Sequence, residues 1–161
     1  MIRYIGIDLG QKGSISVQTK GPRGRSLKVH SFWGRHGGTK LHTLTNPELH
    51  QLISSVLSSP GTNYLCIESP IVVRNSRGLS SMFFYYGFVL ACLQGFPSVQ
   101  FICMTPTKWK AIVKAPGSDK QLMVGHATRL FPNSNQLIDK ETADSVLISE
   151  ACRLYYEAQM E

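Results

Sequence analysis

Four acidic residues stand where a fold could bring them together. Asp8 ends the apolar stretch that begins at Tyr4, and Glu68 ends a second apolar stretch. Glu141 and Asp144 lie three residues apart at the start of the predicted last helix, which places both on one face of its first turn. Asp8 is also the only acid among the first 47 residues. These positions predict a cluster of carboxylates drawn from distant parts of the chain.

Such a cluster predicts a site for hard divalent cations. Mg²⁺ prefers oxygen ligands and keeps several waters, so three or four carboxylates and a substrate phosphate suit it. Two such ions about 4 Å apart can activate a water and stabilise a leaving oxygen at phosphorus. The expected chemistry is therefore phosphodiester hydrolysis. For the Glu141 and Asp144 pair a structural explanation stays open, because acids are favoured at helix N-termini in any case.

The charge distribution favours a polyanionic partner. Residues 1–130 contain 15 Lys and Arg against four acids, whereas residues 131–161 contain two bases and six acids. A basic body of this kind attracts nucleic acid, although solubility alone can also produce it. The basic stretches Lys20–Arg25 and Arg35–Lys40 read as loops that either contact phosphate or are simply solvated.

The order of elements predicts one α/β domain, residues 1–161, with a mixed sheet. Two strands flank the turn after Asp8, a third covers Ser26–Trp33, and later strands end at Glu68 and near Cys103. Helices are expected at Asn46–Ser58, at Ser81–Gln94, after Thr105, after a capping box at Ser118–Gln121, and at Glu141–Tyr156. The helix at Ser81–Gln94 is apolar on every side, which indicates a buried helix or a subunit interface.

Composition excludes several classes. The four cysteines are scattered without metal-ligand spacing and the five histidines form no metal motif, so zinc is not expected. No apolar run is long enough for a membrane span, and no secretory leader is apparent. We therefore expect a soluble, cytoplasmic protein that needs no membrane and no small-molecule cofactor.

An ordered set of short motifs resembles the RuvC-type Holliday junction resolvases, especially their compact phage and viral branch. The matching segments are Ile5–Gly10 with Gly13–Ile15, Ile67–Pro70, Pro106 with Trp109–Lys110, Asp119–Lys120, Leu130–Pro132 and Glu141–Ile148. The resemblance implies a ribonuclease H-like fold with a mixed five-stranded sheet flanked by helices. It also implies a homodimer that nicks four-way DNA junctions symmetrically with Mg²⁺ or Mn²⁺, two ions per site.

The resemblance also implies roles for single residues. It makes Asp8, Glu68, Glu141 and Asp144 the metal-binding carboxylates, and Lys120 a basic catalytic residue near the scissile phosphate. It makes Lys110 a DNA-contacting lysine, the segment Ile71–Gly78 the loop that reaches the junction centre, and Ser81–Gln94 the dimer helix. The basic residues around these segments complete the predicted DNA-binding set: Arg74, Arg77, Lys108, Lys110, Lys114 and Lys120.

Three positions depart from the family pattern. Leu9 stands where many relatives have proline, Glu141 stands where bacterial members have aspartate, and Ile71–Val73 offer no aromatic ring for base stacking. Whether Asp139 or Glu141 assists Asp144 is left open. So are other functions: a nuclease for branched DNA or RNA–DNA hybrid, a non-catalytic junction-binding relative, and an ATPase fragment, which the short length disfavours.

Overall fold

The computed structural model describes residues 1–9, 12–22, 24–36, 40–71 and 79–160. Seven strands lie in these ranges: β1 (Ile2–Asp8), β2 (Ser14–Gly21), β3 (Gly24–Ser31), β4 (Trp33–His36), β5 (Lys40–Thr43), β6 (Thr62–Glu68) and β7 (Gln100–Met104). The five helices are α1 (Asn46–Leu57), α2 (Leu79–Leu93), α3 (Pro106–Ile112), α4 (Lys120–Leu130) and α5 (Ala143–Glu157), with a 3-10 turn at Pro132–Leu137.

Five strands form one mixed sheet in the order β3-β2-β1-β6-β7. β2 pairs antiparallel with β1 and β3, whereas β6 pairs parallel with β1 and β7. The predicted mixed five-stranded sheet is thus confirmed. β4 and β5 form a separate antiparallel pair, so the prediction of a loop at Arg35–Lys40 was wrong at both of its ends.

Helices cover both faces of the sheet. α1 and α2 pack on one face around Ile5, Ile7 and Leu65. α3, α4 and α5 pack on the other face, around Trp109, Met123 and Val146. Side chains alternate along a strand, so every second residue of β1 faces α5. The last of these is Asp8, the final residue of the strand.

Several predicted boundaries change. β3 spans Gly24–Ser31 and Trp33 begins β4, so the third strand begins and ends two residues earlier than predicted. α4 is capped by Asp119, whose Oδ1 accepts from the backbone N–H groups of Gln121 and Leu122, and not by Ser118. α1 begins at Asn46 as predicted, and Thr45 and Glu48 form a capping box on either side of Pro47.

The cysteines are free thiols in the described residues, with Cys66 and Cys152 buried and Cys92 and Cys103 half-buried. No helix in these ranges combines the length and the apolar character that a membrane crossing requires.

Candidate active site

The parallel pairing of β1 and β6 brings the first two acids to one edge of the sheet. Ile7 is paired with Ile67, so Asp8 and Glu68 follow on adjacent strands. Tyr4 and Cys66 lie an even number of residues before these acids on the same strands, so their side chains face the same way, and both belong to the core that packs on α5. Asp8 and Glu68 therefore project from the same end of the sheet, on its α5 face.

The second pair of acids lies where α5 begins. Asp144 is in the first turn of α5, but Glu141 precedes the helix, so the prediction that both share its first turn was wrong. The reason is a tight turn held by Asp139, whose Oδ1 accepts from the N–H groups of Glu141 and Thr142, both at 2.9 Å. Asp139 is engaged as a cap, which favours Glu141 as the acid that assists Asp144.

Buried hydroxyl groups fix α5 against the sheet. The Ser14 hydroxyl donates to Ser145 Oγ at 2.7 Å and lies 3.3 Å from the Glu141 carbonyl oxygen. Ser16 Oγ lies 2.6 Å from the same Ser145 hydroxyl. All three serines are fully buried. Hydrogen bonds in such a buried network specify one arrangement of the elements that they join, here the start of α5 relative to β2.

Gly6 brings α5 and β1 into direct contact. A Cβ built on Gly6 would collide with the Ser145 carbonyl oxygen and the Ser149 backbone nitrogen, and would lie 2.8 Å from Ser149 Cα. Only glycine permits so close an approach of helix and strand backbones. The first turn of α5 is therefore held within reach of the end of β1.

The four acids interact electrostatically. Burial raises the pKa of Asp8 well above its ordinary value, and the charges of Glu68, Asp144 and Glu141 raise it further against the opposing effect of Lys120. Burial also raises the pKa of Glu68, helped by Asp144 and opposed by the Trp109 hydrogen bond and by Lys110 and Lys120. Carboxylates drawn from three separate elements thus concentrate negative charge in one place.

Lys120 provides the compensating charge. Its ammonium group forms a salt bridge with Asp144 Oδ2. Burial lowers the pKa of Lys120, but the hydrogen bond to Asp144 and the charges of Asp144, Asp8 and Glu141 outweigh it, so the net shift is upward. The other carboxylate oxygen, Asp144 Oδ1, is buried and has no hydrogen-bond partner among the described residues. Buried polar atoms normally have partners, so this oxygen is available as a ligand.

The donor set fits a hard cation, although the side chains do not form a ready-made cage. No group of three or more His, Cys, Asp or Glu residues in the described ranges has the geometry of a metal site. The acids nevertheless all offer oxygen ligands, they repel one another, and Asp144 Oδ1 has no hydrogen-bond partner in the part of the chain that the structure describes. Mg²⁺ and Mn²⁺ suit such a set.

The predicted DNA-binding lysines divide into two groups. The charges of Lys110 and Lys120 both lower the pKa of Glu68, and Lys120 also pairs with Asp144. Lys108 instead lies over the Tyr155 ring, 5.4 Å from its centroid. Lys114 has a left-handed backbone with φ of 51°, at the position after α3 where glycine is favoured. Arg74, Arg77 and all of the predicted junction loop except Ile71 lie outside the described residues.

Solved structures share this fold over nearly the whole chain. Thermus thermophilus RuvC in complex with a Holliday junction substrate matches with a TM-score of 0.71 and 13% identity, over 98% of this chain and 96% of that one. The chain has the RuvC fold. A second Thermus thermophilus RuvC structure matches with a TM-score of 0.63 and 16% identity, over 98% of this chain and 96% of that one.

The yeast mitochondrial Holliday junction resolvase Ydc2 matches with a TM-score of 0.53 and 12% identity, over 99% of this chain and 79% of that one. No family model and no curated protein matches the sequence. At these identities the likeness establishes the RuvC fold, and function has to be argued from the site.

Two sets of contacts that hold the site in place on this RuvC fold were not predicted from the sequence. The indole N–H of Trp109 donates to Glu68 Oε2 at 2.6 Å, whereas the sequence placed Trp109 only in a short motif with Lys110 and predicted no contact with an acid. The hydroxyl contacts of Ser14 and Ser16 with Ser145 were not foreseen either. A usable signal was present, because serines at alternate positions of a buried strand need partners on the element that covers them.

The raised pKa of Asp8 predicts a pH-dependent penalty on stability in chelator. A carboxyl whose folded pKa exceeds its unfolded pKa binds more protons in the folded state, so stability falls as pH rises through that interval. Asp8→Asn removes this penalty. Its melting temperature relative to wild type should therefore increase over the pH range above about 4, the ordinary pKa of an aspartate. A constant difference across this range would contradict the assigned burial and repulsion at Asp8.

Proposed function

We propose that this chain is a structure-selective DNA endonuclease that resolves four-way junctions by metal-dependent phosphodiester hydrolysis. The observation that carries the proposal is the meeting of Asp8, Glu68 and Asp144 beside Lys120. That site lies on a fold shared with a RuvC that was solved with a Holliday junction substrate. Residues 1–161 act as one domain, because strands and helices from both ends of the chain supply the site.

Asp8, Glu68, Glu141 and Asp144 would hold two Mg²⁺ ions, with Mn²⁺ as a substitute. Bound there, the ions supply Lewis-acid stabilisation of the phosphorane charge and lower the pKa of the attacking water. Their binding removes the mutual repulsion of the carboxylates. The Asp144 oxygen that has no hydrogen-bond partner would then gain a ligand.

Lys120 binds and orients the scissile phosphate in this proposal. Its side chain is half exposed, at 51%, although it pairs with Asp144, so the ammonium group can reach a phosphate oxygen beside the acids. Lys110 follows Trp109 in α3, and its charge lowers the pKa of Glu68. The basic residues Arg74, Arg77, Lys108, Lys110, Lys114 and Lys120 would contact the DNA backbone and position the junction.

A homodimer would place two such sites on one junction. α2 exposes Phe83 and Phe84, at 43% and 51%, and a Cβ on Gly87 would meet no atom of the described residues within 4 Å. An apolar helix face of this kind indicates a partner surface. Light scattering should give twice 17.9 kDa, and Phe84→Asp should halve that mass. A wild-type mass of 17.9 kDa would exclude the dimer.

Free cysteines are typical of a reducing compartment, so we place the activity in the cytoplasm of a bacterial or virus-infected cell. Recovery of the chain from a membrane or secreted fraction would contradict this.

Parallel cleavage assays test the choice of substrate. A mobile four-way junction, a flap and an RNA–DNA hybrid are incubated with the protein in Mg²⁺ and in Mn²⁺. We expect the junction to be cut fastest by at least about tenfold, equivalent to about 1.4 kcal/mol of preference. Preferred cleavage of the hybrid would instead favour a ribonuclease H-like activity. Junction binding without cleavage in either metal would favour a non-catalytic relative.

A further inference from the structure

We propose that Trp109 is a positioning residue that holds one carboxylate oxygen of Glu68 and leaves the other free for a metal ion. The inference rests on the proposed metal-dependent function, and it assigns to Trp109 a task beyond core packing. It is carried by a direct contact, the 2.6 Å hydrogen bond from Trp109 Nε1 to Glu68 Oε2.

The indole is held rigidly. Trp109 is fully buried and belongs to the core that contains Met104, Met123 and Val146. Its helix begins with Thr105, which accepts from the Lys108 N–H, and with Pro106 at the first position. The strand that precedes α3 is also tied to Glu68, because the Ser69 N–H donates to the Met104 carbonyl oxygen at 2.9 Å. Donor and acceptor are therefore both fixed by the backbone.

The chemistry of the indole suits this task. Its N–H only donates and cannot itself bind a metal ion. A hydrogen bond to a carboxylate is stronger than one between neutral groups, so it selects one orientation of the Glu68 side chain. With Oε2 occupied, Oε1 is the oxygen that remains for coordination. Groups that orient a metal ligand in this way typically change metal affinity by about 10–100-fold when they are removed.

The face of the same ring carries a second positioned group. Lys110 Nζ lies 5.4 Å from the centroid of the Trp109 ring, within the range of a cation–π contact. Lys110 Nζ also contacts Ser118 Oγ at 3.4 Å. One buried side chain thereby fixes the spacing between a proposed metal ligand, Glu68, and a proposed phosphate contact, Lys110.

Trp109→Phe is the first test, because phenylalanine keeps an aromatic ring and removes the N–H. Mn²⁺ affinity is measured by electron paramagnetic resonance, and junction affinity is measured in chelator. We expect the Mn²⁺ dissociation constant to rise about tenfold while junction affinity stays within about twofold. Trp33→Phe, the same substitution at the only other tryptophan, is the control and should leave the Mn²⁺ dissociation constant unchanged.

A spectroscopic measurement tests the contact even if Trp109→Phe does not fold. The indole N–H resonance of Trp109 is followed in wild type, in Glu68→Gln and in Asp144→Asn. We expect Glu68→Gln to move it strongly and Asp144→Asn to move it little, with a further shift when Mg²⁺ is added to wild type.

An unmoved resonance in Glu68→Gln, or an unchanged Mn²⁺ dissociation constant in folded Trp109→Phe, would overturn the proposal. Failure of the proposed junction cleavage looks different. In that case wild type cuts no junction, yet the indole resonance still responds to Glu68→Gln and to Mg²⁺.

Discussion

Asp8→Asn is expected to lower the rate of junction cleavage by about a thousandfold or more. Asp8 interacts with the three other acids and with Lys120, so it lies at the centre of the proposed metal site. A metal ion contributes several kcal/mol of charge stabilisation, and a loss of about 4 kcal/mol corresponds to about three powers of ten in rate. Single-turnover cleavage of a labelled junction in Mg²⁺ measures the effect.

Junction binding by Asp8→Asn should remain close to wild type, because asparagine keeps the shape of the side chain and the lysines are unchanged. Asp139→Asn is the matched control, since its amide oxygen can still accept from the N–H groups of Glu141 and Thr142. It should cleave at a rate within about threefold of wild type, a change below 1 kcal/mol. Substantial cleavage by Asp8→Asn in Mg²⁺ would contradict the metal account.

Gly6→Ala is expected to destabilise the fold by about 3 kcal/mol, the upper end of the usual cost of overpacking. The added methyl group would collide with backbone atoms of Ser145 and Ser149, which cannot move without shifting α5. For a chain of this length the loss corresponds to a melting temperature lower by roughly 6 to 12 °C. Because α5 carries Asp144, cleavage at a temperature where the variant is folded should fall as well.

Gly125→Ala provides the comparison within the same chain. Outside its own helix, a Cβ on Gly125 would meet no atom of the described residues within 4 Å, and alanine is favoured over glycine inside a helix by about 1 kcal/mol. This variant should melt at or above the wild-type temperature. Equal melting temperatures for Gly6→Ala and wild type would show that α5 does not contact β1 as closely as the structure has it.

Local signals in the sequence were sufficient for most of the fold. The apolar stripe of Leu49, Ile53 and Val56 after Pro47 and Glu48 predicts α1, and Thr105 with Pro106 predicts the start of α3. The paired strands β4 and β5 were missed because their basic, glycine-containing sequence resembles a loop. Whether such a segment forms a strand depends on the contacts that its side chains make across the strand pair, and these are not visible in local propensity.

The acids of the candidate site could be predicted from the sequence, whereas the contacts that hold them in place could be predicted less well. Asp8 and Glu68 stand at strand ends, and parallel pairing brings such ends together. The start of α5 was placed too early, because the Asp139 turn depends on hydrogen bonds that local spacing does not specify. The contact between Trp109 and Glu68 joins residues 41 positions apart, so only the folded chain reveals it.

Mapping the nicks on a four-way junction tests the central claim most directly. Each of the four strands is labelled in turn, and wild type is compared with Asp8→Asn in Mg²⁺. The account predicts that wild type cuts two opposing strands at symmetrically related positions, that the ends can be ligated, and that Asp8→Asn produces neither cut. Nicks in a single strand, scattered cuts, or cuts that persist in Asp8→Asn would contradict it.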